Sequence, residues 1–109
     1  MAFDQTLAER VRVRLAFAGA VREVRMFGGL TFMLNEHMCC GVGGSGLYLR
    51  LGADAAAAIG RGEAQPFMPT RSPAAGMVTV ANDATLTDAR LNDWLAQAVA
   101  QTLALPPRR

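Results

Sequence analysis

Residues 21–51 decide the fold, and they read VREVRMFGGLTFMLNEHMCCGVGGSGLYLRL. Four short stretches rich in aliphatic, β-branched and aromatic residues alternate here with clusters of turn-forming residues. The turns fall at Gly28-Gly29, Asn35-Glu36-His37 and residues 43–46. Stretches of this kind with short connections are typical of β-hairpins. The pattern therefore predicts an antiparallel meander, with strands at residues 21–27, 30–34, 38–42 and 47–51.

The register of the hairpin between the second and third strands has two solutions. A three-residue turn sets Phe32 opposite Cys40, whereas a two-residue turn at Asn35-Glu36 sets Phe32 opposite Cys39. We favour the first solution because it gathers three apolar side chains on one face. These are Met38, Cys40 and Val42. This register predicts that Cys40 is buried in the core and that the other thiol is exposed.

Helical patterns lie on both sides of the meander. In residues 4–18 apolar residues recur at helical spacing, Asp4 is suited to cap the helix, and Gly19 is suited to end it. The other predicted elements are a short helix at 53–59, a proline-containing loop at 63–75, a fifth strand at 76–81 and a helix at 87–104 whose apolar stripe includes Trp94. Strands grouped between helices predict an α+β fold, with an antiparallel sheet of about five strands and helices packed on one face.

Composition excludes several classes of protein. The chain has 109 residues and a mass of 11.6 kDa, which predicts a single domain over residues 1–109. With 51% hydrophobic and 18% charged residues, it does not resemble a disordered tail. It contains no lysine, which excludes Schiff-base and phosphate-loop lysine chemistry. No apolar run is long enough for a membrane helix and no signal peptide is recognisable, so we expect a cytoplasmic protein without membrane contact.

Three glycines match a nucleotide-binding pattern by spacing alone. Gly41, Gly43 and Gly46 satisfy G-x-G-x-x-G. The dinucleotide motif places its glycines between a strand and a helix, so that the helix N-terminus faces the pyrophosphate. Here a strand follows, so the glycines are assigned to a tight hairpin and no nucleotide cofactor is predicted.

Three soft metal ligands lie close together in the sequence: His37, Cys39 and Cys40. A structural zinc site needs four ligands, and adjacent cysteines on one strand point to opposite faces. No G-x-S-x-G nucleophile motif is present, and a single histidine would have to serve as the general base. The sequence therefore predicts no catalytic residue, no metal and no cofactor. The alternative is a small-ligand-binding protein or minor enzyme with a pocket near Gly28-Gly29, the histidine and one of the cysteines.

Five of the eleven basic residues are concentrated near the N-terminus: Arg10, Arg12, Arg14, Arg22 and Arg25. A charge run of this kind usually forms a solvated face, and a net charge of +2 creates no strong field toward nucleic acid. Direct DNA binding is therefore not expected, and weak nucleic-acid binding through these arginines is a third hypothesis. Only Arg25 stands beside an aromatic residue, Phe27, on the same predicted strand face. The aromatic side chains are assigned to the core: Phe3, Phe17, Phe27, Phe32, Tyr48, Phe67 and Trp94.

Several blocks of sequence together carry a family resemblance. They are Arg25-Met26-Phe27-Gly28-Gly29-Leu30, Gly46-Leu47-Tyr48-Leu49-Arg50, Pro66-Phe67-Met68, Gly76-Met77-Val78 and Leu91-Asn92-Asp93-Trp94. In this combination the chain resembles the N-terminal domain of TfoX, also called Sxy, from bacterial regulators of natural competence. The resemblance spans roughly residues 3–103. It implies a two-layer α+β fold similar to that of secretion chaperones.

The resemblance also implies a function. Full-length members of the family act as transcriptional co-activators with the cyclic-AMP receptor protein and carry a further helical domain, which we do not expect in this chain. We therefore expect a small regulatory or adaptor domain that acts through protein contacts, with the transcription machinery as one candidate partner. We also expect self-association into a homo-oligomer.

Within these blocks, local chemistry suggests roles for individual residues. Met26 and Phe27 are expected to pack under the first helix, with Gly28-Gly29 allowing the chain to bend. Tyr48 and Arg50 share a strand face, and an exposed aromatic–arginine pair suits a protein interface, with Arg25 as a further candidate contact. Ordinary surface alternation is the equally weighted alternative. Three more residues of the blocks are taken as structural: Gly46, Leu47 and Trp94.

Overall fold

The computed structural model describes residues 3–44 and 46–106, so Ser45 of the third predicted turn lies outside the described residues. The helices are α1 (Gln5–Leu15), α2 (Ala55–Gly60) and α3 (Asp88–Leu103), with a 3₁₀ turn at Gly52–Asp54 before α2. The strands are β1 (Val21–Met26), β2 (Gly29–Leu34), β3 (His37–Gly43), β4 (Gly46–Arg50), β5 (Gln65–Pro66) and β6 (Met77–Val80).

The described strands form one antiparallel sheet in the order β1-β2-β3-β4-β6-β5. Neighbours along the chain are neighbours in the sheet from β1 to β4, which confirms the predicted meander. The predicted fifth strand is β6, which pairs with β4 so that Leu47 stands opposite Val80. The loop predicted at residues 63–75 contains the additional strand β5, so the described sheet has six strands rather than five. Its two edges are β1 and β5.

Both long helices pack on the same face of the sheet. Asp4 caps α1 by accepting hydrogen bonds from the backbone N–H groups of Thr6 at 2.8 Å and Leu7 at 3.3 Å. The apolar stripes of α1 and α3 meet the inward side of β2, β3 and β4 in one continuous core. Fully buried members of this core are Leu7, Val11, Phe32, Leu47, Leu49 and Leu91. The predicted α+β class, with helices on one face, is confirmed.

The end of α1 differs from the prediction and changes the place of one aromatic residue. The helix ends at Leu15 rather than at residue 18, and Phe17, which was assigned to the core, is 100% exposed. Even in a longer helix, position 17 would fall on the side of the exposed Val13, away from the buried stripe. Trp94 is buried in α3, as expected, and the guanidinium of Arg90 lies 5.9 Å from its ring centroid.

The hairpin between β2 and β3 combines both predicted registers. Its turn has two residues, both with positive φ, as in the second solution. A β-bulge then inserts Cys39, and Phe32 stands opposite Cys40, as in the first solution. Because the inserted residue interrupts the alternation, both cysteines point into the helix-side core and both are fully buried. The expectation of one exposed thiol is therefore wrong.

The sheet face directed away from α1 and α3, called the far face below, has its own small core. Tyr48, Phe67 and Met77 are buried there, and the half-buried Met38 packs against them. Met38 was expected on the helix side with Cys40, but the bulge between them reverses the alternation. Phe67 comes from the segment between β5 and β6, so this segment covers part of the far face.

Candidate functional site

The far face is organised around Tyr48, whose ring lies across a neighbouring strand. A Cβ atom at position 41 would lie 2.2 Å from this ring, so only glycine leaves room for it on β3. The ring thereby reaches from β4 over β3 to β2, where the Tyr48 hydroxyl and the buried Thr31 hydroxyl share a hydrogen bond of 2.5 Å. Burial raises the pKa of the Tyr48 phenol, which keeps it neutral over the physiological range.

Two further rings extend this arrangement outward. Phe67 stacks on Tyr48 with the ring planes 9° apart and the centroids 4.2 Å apart. Phe27 meets Phe67 edge to face, with the centroids 5.7 Å apart and the planes at 73°. Both are favourable geometries for aromatic pairs. The result is a stack of three rings that begins on the glycine of β3 and ends at the protein surface.

Phe27 occupies the outer position because it belongs to a turn and not to a strand. Phe27 and Gly28 have φ values of 58° and 73°, and together they form the two-residue turn between β1 and β2. The expectation that Met26 and Phe27 pack under the first helix is wrong. Phe27 leaves the strand toward the far face and remains 47% exposed. Met26 points to that face as well, because its neighbour Arg25 is on the helix side, with its guanidinium 5.6 Å from the ring centroid of Phe3.

The outer rings form one wall of a cleft of about 510 Å³, which we call the aromatic cleft. It is lined by Phe27, Tyr48 and Phe67, by the glycines of the β3–β4 hairpin, and by the chain segment 62–69. Among the described lining residues, Glu63 is the one whose side chain is charged at neutral pH. Its carboxylate lies 3.1 Å from the guanidinium of Arg61. The cleft therefore presents aromatic rings and polar groups with little charge.

The glycines of this hairpin have a steric role. Gly46 has a φ of 128°, and a Cβ atom there would lie 2.3 Å from the carbonyl oxygen of Val80 on β6. The match to G-x-G-x-x-G thus belongs to a hairpin, as predicted, with Gly41 and Gly43 on β3 and Gly46 on β4. These glycines let strands and rings approach one another. Leu47, the next residue, is fully buried on the helix side of the sheet.

The residues predicted to make protein contacts do not form one surface. Tyr48 is only 3% exposed, because Phe67 covers it, so the expected exposed face of Tyr48 and Arg50 does not exist. Arg50 is half-buried, and its Nε donates a hydrogen bond of 2.6 Å to the carbonyl of Met38. Arg25 is exposed, but it lies on the helix side at the β1 edge. Strand alternation alone could not show the loop that covers the far face.

The ligand pocket predicted beside the soft ligands is not assembled either. His37 begins β3 and its Nε2 hydrogen-bonds the carbonyl oxygen of Pro106 at 2.7 Å. Gly28-Gly29 lie at the opposite end of the same hairpin, about five residues or ~17 Å away along the strand. A hydrogen bond between the buried thiols lowers the pKa of Cys39 and raises that of Cys40. Within residues 3–44 and 46–106, no cluster of histidine, cysteine and carboxylate side chains suited to a metal ion is found.

Most of the N-terminal arginines are paired with carboxylates. Arg10 and Arg14 lie 2.9 Å and 3.2 Å from Asp88 at the start of α3. Arg12 contacts both Glu9 and Glu23 at 2.6 Å, and this pairing lowers the pKa of Glu23. The pairs join α1 to α3 and to β1, which favours the interpretation as a solvated polar face.

The structure is a small α+β fold with a recess on its far face, one wall of which is made of aromatic rings. Comparison with protein families then identifies it. The family model of the TfoX N-terminal domain matches residues 14–102, and the chain belongs to this family. No curated protein matches the chain, and no solved structure matches it. The likeness to secretion chaperones therefore remains a prediction. Among the described residues, no helix combines the length and apolar character needed to span a bilayer.

The aromatic cleft brings together residues from separate parts of the sequence. Phe27, Tyr48 and Phe67 come from three of the blocks that carry the family resemblance. Phe67 was not predicted as a site residue. The signal in the sequence is an aromatic residue between prolines at positions 66 and 69, in a segment whose prolines predict an irregular loop.

Proposed function

We propose that this protein is a regulatory adaptor domain that binds an apolar segment of a protein partner in the aromatic cleft. The observation that carries the proposal is the exposure of two large apolar side chains at this one place. Phe27 is 47% exposed and Met68 is 50% exposed, and both line the cleft. Clustered apolar exposure beside a recess is typical of protein interaction sites, whereas scattered exposed side chains are not.

The organisation of the cleft supports binding through shape. Phe27 rests on Phe67, which is fixed by its stack on the buried Tyr48. A ring held in this way loses little conformational freedom when a partner covers it, so more of the contact energy appears as affinity. The weakly charged lining favours an aliphatic or aromatic side chain of the partner over a phosphate or a carboxylate.

Membership of the TfoX N-terminal domain family supports a regulatory role over a catalytic one. We propose the transcription machinery as the first partner class to examine and the cytoplasm as the place of action. Natural competence is the process in which such a role is to be tested first.

The test is a quantitative pull-down with the tagged chain and two matched variants. Phe27→Ser removes the outer ring of the cleft, whereas Phe17→Ser removes a fully exposed ring in the segment that follows α1. Proteins bound through the cleft should be recovered by the wild-type chain and by Phe17→Ser, and lost at least about tenfold with Phe27→Ser. Recovery of the same proteins by all three chains would overturn the proposal.

A small apolar ligand is the second candidate occupant, because a volume of about 510 Å³ falls within the usual range of small-molecule sites. A ligand at one hundred times its dissociation constant stabilises the native state by about 2.7 kcal/mol. A thermal-shift screen of apolar metabolites should then give a large rise in Tm for the wild-type chain and none for Phe67→Ala. Absence of any shift across the screen would leave the protein segment as the occupant.

A further inference from the structure

The two edges of the sheet differ in their capacity to accept another strand. The β5 edge is only two residues long and includes Pro66, which has no N–H to donate. The β1 edge has six residues and no proline. It also carries three half-exposed apolar side chains: Val21, Val24 and Met26. Long, regular edges of this kind are the ones to which further strands add.

The backbone groups available at the β1 edge follow from the turn. Met26 and Gly29 flank a two-residue turn and therefore form a hydrogen-bonded pair. Because such pairs alternate along antiparallel strands, every second residue of β1 directs its N–H and C=O groups away from β2. These residues are Val21, Glu23 and Arg25. Among the described residues, no hydrogen bond from another element is found on these outward groups.

We propose that a second copy of this chain adds to the β1 edge, antiparallel and with Val24 on the twofold axis. The two sheets then continue as one, and the helices of both copies lie on the same side. In this register Glu23 stands opposite the partner's Arg25, and Arg25 stands opposite the partner's Glu23. Each of these two pairs consists of outward residues, so each supplies two backbone hydrogen bonds as well as a contact between opposite charges.

Charge selects this register over its neighbours. An axis at Glu23 places two glutamates opposite each other, and an axis at Arg22 or Arg25 places two arginines opposite each other. Like charges directly opposite across strands are destabilising. Registers with an axis between residues are excluded, because an outward residue would then face an inward one and the ladder could not form. An axis at either end of β1 would pair too few residues.

The side chains are already placed for these contacts. The Glu23 carboxylate accepts two hydrogen bonds from the guanidinium of Arg12 in α1, and the guanidinium of Arg25 lies near the ring of Phe3. Glu23 and Arg25 are therefore both on the helix side of the sheet. Both are exposed. A carboxylate has about four acceptor positions, so Glu23 can accept from the partner's Arg25 while it keeps its bond to Arg12. A short ladder is smaller than a standard interface, so we expect a dissociation constant on the order of micromolar.

The test is sedimentation velocity over a concentration series, with charge reversals that separate the register from the fold. Arg25→Glu leaves the Arg12–Glu23 pair intact, and Glu23→Arg reverses the opposite position. Each variant alone should weaken dimerisation at least about tenfold, because both cross-strand pairs become pairs of like charge. An equimolar mixture of the two variants should restore dimerisation, because both pairs are then of opposite charge. Arg71→Glu, an equal charge change in an exposed loop, is the control and should dimerise as the wild type does.

A wild-type chain that stays monomeric at the highest soluble concentration would overturn the proposal. So would dimerisation of Arg25→Glu equal to that of the wild type, or a mixture that does not recover. This proposal does not rest on the aromatic cleft. The cleft variant Phe27→Ser is tested by the recovery of partner proteins in a pull-down, whereas the β1 variants are tested by self-association. Failure of the dimerisation test would therefore not contradict the proposed binding in the cleft, and the reverse also holds.

Discussion

Replacing Gly41 by alanine probes the packing of the far face at its base. The new Cβ atom would lie 2.2 Å from the Tyr48 ring, far inside van der Waals contact. The ring cannot move outward freely, because Phe67 stacks on its other side at 4.2 Å between centroids. The substitution therefore forces Tyr48 to shift and breaks its hydrogen bond to Thr31.

The size of the effect follows from three contributions. Overpacking a buried site costs about 1–3 kcal/mol. Leaving the buried Thr31 hydroxyl without a partner costs about 1–3 kcal/mol more. The smaller entropy of the unfolded alanine chain offsets about 0.4–1 kcal/mol. We expect Gly41→Ala to lower the free energy of unfolding by about 1–6 kcal/mol.

Urea unfolding followed by the fluorescence of the single tryptophan measures this loss. Gly60→Ala is the matched control, since nothing lies within 4 Å of a Cβ atom at this position in the last turn of α2. Alanine there should stabilise the chain by up to about 1 kcal/mol. On a Tyr48→Leu background, Gly41→Ala should cost much less than in the wild type. The reasoning is refuted if Gly41→Ala is as stable as Gly60→Ala.

Three further outcomes are expected. Thr31→Val leaves the Tyr48 hydroxyl buried without a partner, so urea unfolding should show a loss of about 1–3 kcal/mol, and Thr31→Val combined with Tyr48→Phe should recover part of it. Arg12 lowers the pKa of Glu23 below its ordinary value of 4.5, so this pair stabilises the fold above that pH and ceases to do so as the pH falls through the lower folded value. The pair is largely exposed, so Arg12→Gln should lower the free energy of unfolding by no more than about 0.5 kcal/mol at neutral pH. At pH values below the folded pKa of Glu23 the substitution should have no effect. An equal loss of stability at both pH values would contradict the assignment. Both cysteines are fully buried, so a thiol reagent should label them only at the rate of unfolding, and rapid labelling of the native chain would show that the bulge is placed wrongly.

The sequence predicts the parts of this fold that depend on local pattern. The strands of the meander and the cap at Asp4 follow from alternation, turn residues and capping chemistry, and all are present. The family blocks likewise predict the class of domain. Strands, turns and helix caps are determined by residues that lie close together in the sequence, which is why a single sequence is sufficient to predict them.

The differences arise where distant segments meet. The burial of Tyr48 depends on Phe67, a residue nineteen positions further along that no strand pattern connects to it. The burial of Cys39 depends on one inserted residue, which leaves the composition of the strand unchanged. The position of Phe27 depends on whether a turn begins at residue 27 or 28. Each error is one residue or one loop in size: the loop leaves Tyr48 covered instead of exposed, and the two single-residue errors move Cys39 and Phe27 to the opposite face of the sheet.

The reach of Tyr48 across Gly41 also has a consequence for how the molecule opens. One side chain joins three successive strands, so β2, β3 and β4 cannot separate from one another without breaking the same hydrogen bond between Tyr48 and Thr31. These strands should exchange their amide hydrogens as one cooperative unit, close to global unfolding. The outer strands β1 and β5 lie beyond this link and can fray while the centre stays closed. The protein thus combines central strands that resist opening with edge strands that can open locally.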